Sequence, residues 1–231
     1  VANIYNKQLI SVTLNITNGN LVSFLKYVDS RQNIQTMGDN SEQLQVKTLQ
    51  KAEEYILKFS SEKVEDLVLV KTQFGKWHNY WEFEWRKKYG KYLSHDQIMV
   101  VVSPDLNLVS FGNYLITTSP RILDAKISQE AIEQLAREYA QLFFNEFSKG
   151  RESLRKLELP IKNKPRKIKL AVFHPNHISN HYGKYLANLK NVARLKESSL
   201  VWEVFFLEKD SVFIRLWLDA NTGELLGVEF G

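Results

Sequence analysis

The strongest constraint on this chain is a strand–turn–strand phrase spelled three times. In "QLISVTLNIT", Ile10, Val12, Leu14 and Ile16 alternate with Ser11, Thr13, Asn15 and Thr17. Period-two alternation marks a strand with one buried face. Asn18, Gly19 and Asn20 then supply the residues of a tight hairpin, and "LVSFLKYV" returns beside the first strand. "QIMVVV", the turn residues Ser103 to Asn107 and "LVSFGNYL" follow the same scheme, so LVSF stands unchanged at Leu21–Phe24 and Leu108–Phe111. The third version is "SVFIRLWLD", Ala220 to Gly223, and "ELLGVEF", with Gly223 able to take a left-handed turn position. Such a chain must form antiparallel sheet, and the apolar face of that sheet needs a cover.

Two further anchors precede the hairpins. "YWEFEW" puts Trp81, Phe83 and Trp85 on one face, and "VWEVFF" repeats the arrangement with Trp202, Val204 and Phe206. Glu82, Glu84 and Glu203 fall on the opposite face, which is expected to meet solvent. Upstream lie the helices that would act as covers. Asn40 can cap the first, with Gln43 at the capping-box position and Leu49, Ala52, Ile56 and Phe59 as its apolar stripe. Ser128 caps the second, with Ala131, Leu135, Leu142 and Phe143 on or near one face and Gly150 at its exit.

Each unit therefore reads as a helix followed by about four antiparallel strands. Residues 1–38 are expected to be the closing hairpin of a partial repeat plus a linker, and 39–120 a complete repeat. Residues 121–231 form a second repeat with a basic, His-containing insertion near 157–199. One coincidence does not fit this register: "YGKYL" at Tyr89–Leu93 follows its Trp-Glu strand, whereas the copy at Tyr182–Leu186 precedes its own.

The segment "WLDANTGELLGVEF" (Trp217–Phe230), after a helix and a Trp-Glu strand, resembles the PepSY domain. The paired units with LVSF closures look more closely like the YcdB/YcdC repeats of Gram-positive surface proteins. "SPDLNLVSF" is a weaker version without the Thr-Gly pair. The resemblance implies an α+β fold of tandem cystatin-like units, each a helix packed on a curled antiparallel sheet of about four strands. It also implies an extracellular or cell-envelope location. PepSY domains occur in propeptides of secreted metallopeptidases, so the implied partner is a secreted peptidase or another envelope protein. No catalytic residue comes with the resemblance.

Composition narrows the chemistry. The chain has no cysteine, which excludes disulfides, zinc thiolates and cysteine nucleophiles. No apolar run approaches the ~20 residues of a membrane-spanning helix. The first residues, "VANIYNKQLI", lack an initiator Met and a signal-peptide pattern, which suggests a processed or trimmed chain. His174, His177 and His181 have metal-like spacing, but Pro175 disfavours a helix there and no carboxylate completes the set. They are read as a loop entering a helix from about Tyr182 to Leu195, with no metal. Asp219–Glu224 is too short for a calcium loop and reads as a turn. Glu82, Glu84 and Glu203 read as ordinary strand charges rather than an acid–base pair, and His78 and His95 lack a triad context. No enzyme and no cofactor are expected. Trp77, Tyr80 and Tyr89 flank turns and are open to exposure.

The net charge of +5 is concentrated in one place. Residues 149–169 hold nine basic residues against Glu152 and Glu158, which gives +7 and leaves about −2 for the remainder. Lys162, Lys164, Arg166, Lys167 and Lys169 form a candidate polyanion-binding set, with an anionic cell-wall polymer as ligand. The plainer reading is an edge strand protected from aggregation by lysine. Nucleic acid ranks last, for want of a recognition motif. The expected function is a non-catalytic extracytoplasmic binding or regulatory module that modulates or inhibits a secreted peptidase. The alternatives are a structural spacer repeat of a larger surface protein, or wall-polymer binding through the basic segment.

Overall fold

The computed structural model describes residues 2–5, 8–14, 21–27, 41–75, 80–115, 120, 123–152, 161, 164–178, 182–190, 192–207 and 212–231. The fold is α+β with mostly antiparallel strands. The chain divides into two compact units, Val1–Lys88 with Asp96–Ile116, and Tyr89–His95 with Thr117–Gly231.

The first unit contains β1 (Ala2–Tyr5), β2 (Gln8–Leu14), β3 (Leu21–Tyr27), α1 (Ser41–Phe59), β4 (Leu67–Gly75), β5 (Tyr80–Tyr89), β6 (Tyr92–Val102) and β7 (Leu108–Asn113), the last residue of β5 and the first four of β6 belonging to the second unit. The strand order is β1-β2-β3-β7-β6-β5-β4. The expected stripe of α1 does the covering. Ala52 and Ile56 are fully buried against Trp81, Phe83, Trp85, Ile98, Val100, Val102 and Phe111, with Leu49 and Phe59 at the margin. Trp81, Phe83 and Trp85 form a run of rings along β5, with centroids 6.3 and 5.8 Å apart. Asn40 and the Asn18–Asn20 turn lie outside the described residues.

The two LVSF copies are neighbours. β3 pairs antiparallel with β7, Phe24 opposite Phe111 and Leu25 opposite Ser110. The N-terminal hairpin thus extends the sheet of the first unit. Its outer strand departs from the expected burial. Val12 and Leu14 are 38% and 55% exposed, because β2 lies one strand beyond β3, the last strand of this hairpin to reach the core under α1. At the β6–β7 turn, Leu106 takes a left-handed conformation with φ 62°, uncommon for a bulky residue. The Tyr55 hydroxyl of α1 donates to the Leu106 carbonyl at 3.1 Å, tying this turn to the helix.

The second unit contains α2 (Gln129–Phe147), β8 (Lys167–Phe173), a short α3 (Gly183–Leu186), β9 (Ser199–Leu207), β10 (Phe213–Asp219) and β11 (Leu225–Phe230). Its strands run β8-β9-β10-β11, all antiparallel, and Ser94 pairs in parallel with Val172 of β8. Ser128 caps α2, its hydroxyl accepting from the Ala131 N–H at 3.3 Å. The buried face of α2 is Ile132, Ala136, Tyr139, Ala140 and Phe143, against Trp202, Val204, Phe206, Ile214, Leu216 and Leu218. Ala131 and Leu142, expected near that face, are exposed instead. At 3.6 residues per turn they sit one position to the side of the stripe. Tyr89, expected to be open to exposure, is buried in this same core.

Both YGKYL copies feed that core through different backbones. The first is the β5–β6 turn, with Gly90 at φ 57°, and the second caps and forms α3. Tyr89 and Leu186 are buried, while Tyr92, Tyr182 and Tyr185 pack at the edge of the cluster. The helix expected to reach Leu195 is confined to Gly183–Leu186. The chain beyond it is drawn to β11, where the Ala193 N–H donates to the Leu225 carbonyl.

The Asp219–Glu224 turn is held by its own side chains. Asp219 Oδ1 accepts from the N–H groups of Asn221 and Thr222 at 2.8 and 2.9 Å, and Gly223 adopts φ 74°. A Cβ on Gly223 would meet Leu135 Cδ1 of α2 at 2.9 Å. Gly223→Ala is therefore expected to lower the unfolding free energy by about 1–2 kcal/mol, the cost of a left-handed non-glycine residue. Urea unfolding checks this, and an unchanged midpoint would show that the turn relaxes without cost.

Candidate functional site

The site is built on the face of the second unit's sheet that points away from α2. Alternation along β9 sends Trp202, Val204 and Phe206 toward the helix, so Val201, Glu203 and Phe205 occupy the other face. A solvated outer face was expected here. Instead Ala171, Phe173, Ile178, Val201, Trp217 and Leu226 form a second, smaller core, flanked by Ala193 and Leu195. Ile178, Ala193 and Leu195 lie between β8 and β9 in sequence and cover part of the outer face. β9 is consequently covered on both sides along its centre.

Glu203, on the same face, is buried at 5% exposure rather than solvated. An ionised carboxylate taken out of water costs several kcal/mol unless paired. Lys169 Nζ lies 2.7 Å and Arg215 Nε 3.5 Å from its two oxygens. Arg215 also reaches Glu229 through Nη1 at 2.7 Å, and its guanidinium lies 5.1 Å from the Phe205 ring centre. Each cation comes from a neighbouring strand. β8 supplies Lys169 directly opposite Glu203, and β10 supplies Arg215, opposite Phe205 and next to the Glu203 pairing.

Around this network opens a concavity of about 400 Å³, lined by His95, Arg166, Lys167, Lys169, Glu203, Phe205 and Arg215. Of the basic residues singled out in the sequence, Lys164, Arg166 and Lys167 are exposed, and Arg166 and Lys167 line the concavity. Lys169 also lines it, half-buried and paired with Glu203. Lys162 lies outside the described residues. Arg215 was missed, because it stands forty-six positions from Lys169 in sequence and joins it only through strand pairing. Alternation along β9 places Glu203 on the face away from α2, so no local signal marked it as a charge to be buried between two cations.

The other candidate groups are engaged in structural contacts. Glu82 pairs with Lys71 at 2.6 Å and Glu84 with Arg86 at 2.7 Å. His95 stacks on Phe173 with centroids 4.6 Å apart and meets His177 edge-on at 5.2 Å. His174 and His177 are 6.1 Å apart, and no group of three metal-binding side chains occurs among the described residues. His78, Trp77 and His181 lie outside the described residues. A separate groove of about 540 Å³ is lined mainly by Ile178, Leu186, Leu189, Val192, Leu195 and Leu226.

Residues 3–114 match the family model described as the YcdB, YcdC repeated domain. This span takes in β1 to β7 and α1 together. No curated protein matches the chain. Among solved structures, the Bacillus megaterium YpeB C-terminal domain is similar at 15% identity, with a TM-score of 0.41, over 100% of this chain and 88% of that one.

If Glu203 is the neutralising centre of the outer face, Glu203→Gln should lower the unfolding free energy by about 1–3 kcal/mol, the cost of leaving buried polar partners unsatisfied. Combining it with Lys169→Met should cost less than the two single losses added together. Strict additivity in denaturant unfolding would show that the two side chains do not interact.

Proposed function

We propose that the chain, whose first half carries the YcdB/YcdC repeat, is a non-catalytic binding module built from two PepSY-like units and working outside the cytoplasm. One observation carries this reading. The carboxylates that acid–base chemistry would require are committed to ion pairs, while the outer face of the second unit presents an open concavity lined by cations and an aromatic ring. Such a surface suits recognition better than bond-making, since nothing in it pairs a nucleophile with a base. The family match and the helix-on-sheet design of both units support a tandem arrangement of cystatin-like bodies. The finer reading is that this module modulates or inhibits a secreted peptidase, with an envelope or extracellular location.

A second reading, a spacer repeat within a larger surface protein, draws on the hairpin, whose exposed Val12, Leu14 and Leu25 suit contact with further structure. A panel of secreted metallopeptidases assayed with the purified chain separates the two. The module reading expects at least one enzyme to be bound or inhibited at stoichiometric concentrations. Uniform failure across the panel would favour the spacer.

A further inference from the structure

We propose that the cleft around Glu203 is a binding site for a linear phosphodiester polymer, read through Arg166, Lys167 and the guanidinium of Arg215. The proposal shares with the binding-module reading the idea that the second unit holds a ligand, and it is independent of any peptidase.

The argument starts from charge. Lys169 and Arg215 are balanced by Glu203 and Glu229, so the inner network is neutral by formal count. Arg166 and Lys167 line the same concavity, are exposed, and add two positive charges to a neutral floor. Lys164 stands exposed two residues before Arg166. A cleft with a fixed neutral base and a cationic rim attracts anions without having to break its own ion pairs. The floor is also rigid. Arg215 is held by two carboxylates and by the Phe205 ring, and these contacts engage only Nε and Nη1 of a group with five donors. A planar guanidinium held in place in this way suits the oxygens of a phosphate.

Shape decides which anion. The cations are strung along a strand and its approach rather than converging on one point, so a single small anion would gain little. Lys167 of β8 and Arg215 of β10 stand on either side of Phe205, about 10 Å apart across two strand spacings, a separation suited to successive charges of a chain. Nucleic acid would also want a ring on which bases can stack. Phe205 is already occupied, with Arg215 over it and Phe213 beside it at 5.8 Å. An acidic peptide held by strand pairing would want side-chain pockets at alternate positions. Here consecutive residues, Arg166 and Lys167, open into one continuous concavity.

The test uses the full chain and a poly(glycerol phosphate) oligomer as probe, titrated by calorimetry at low and physiological salt. Affinity is expected to rise with oligomer length and to fall with salt. Arg166→Glu with Lys167→Glu should weaken binding by at least about tenfold, the scale of losing a charge pair at an interface. Lys47→Glu with Lys58→Glu, the same charge change on the exposed face of α1, should leave affinity within about twofold, as expected for distant screened charges. Equal losses in both double variants would reduce the effect to overall charge and overturn the proposal, as would no binding at low salt. Preference for poly-glutamate or for single-stranded oligothymidylate over the glycerol phosphate probe would overturn the ligand class. Assaying the same variants against any inhibited peptidase keeps the two readings apart: loss of polymer binding with inhibition intact leaves both standing as separate surfaces.

Discussion

Everything in this molecule depends on covering one face of a sheet with one helix. In each unit a nineteen-residue helix lays a narrow apolar stripe on strands whose alternate residues are large and apolar. Full burial of a Phe or Leu side chain is worth about 1.5–3 kcal/mol. Phe83, Trp85 and Phe111 beneath α1, with Phe206, Ile214 and Leu216 beneath α2, therefore outweigh any single polar interaction described above. Strands add to the sheet at its edges, but only those that reach the helix gain this term. β2 illustrates the limit. It has the right alternation, yet Val12 and Leu14 stay exposed because the helix ends its coverage before reaching them.

The second unit departs from this plan by covering the other face as well. Ile178, Ala193 and Leu195 pack with Val201 and Trp217 there, and on the same face Glu203, opposite Trp217 and Lys169, is a buried charge. Burial of Glu203 then recruits Lys169 and Arg215 from the flanking strands, and it is their neutralisation that leaves the more exposed Arg166 and Lys167 as the surplus charge. In the first unit Glu84 is also largely withdrawn from solvent, its side chain 12% exposed, but it pairs with Arg86 of its own strand rather than with cations from two flanking strands.

Repetition in the sequence turns out to record two different things. The LVSF copies are strands lying side by side, with Phe24 facing Phe111, so identity here reflects a shared sheet environment. The YGKYL copies adopt a turn in one place and a helix cap in the other, and what they share is a destination for their tyrosines in one core. Short identical strings can therefore satisfy the same packing need from unrelated backbones.

Periodicity alone determined the hairpins, the Trp-Glu strands, the stripe of α1, the cap at Ser128 and the left-handed Gly223, because each of these is settled by residues within a few positions of one another. The inward face of α2 was legible only approximately, since Ala131 and Leu142 differ from true core positions by a single step around the helix. The basic segment was visible as composition, but not which of its charges would be held and which left open. That division was decided by tertiary structure. Lys169 and Arg215 meet at the buried Glu203 only because β8 and β10 flank β9. Local sequence carries the geometry of strands and turns; the dielectric around a side chain depends on what the rest of the chain places on top of it.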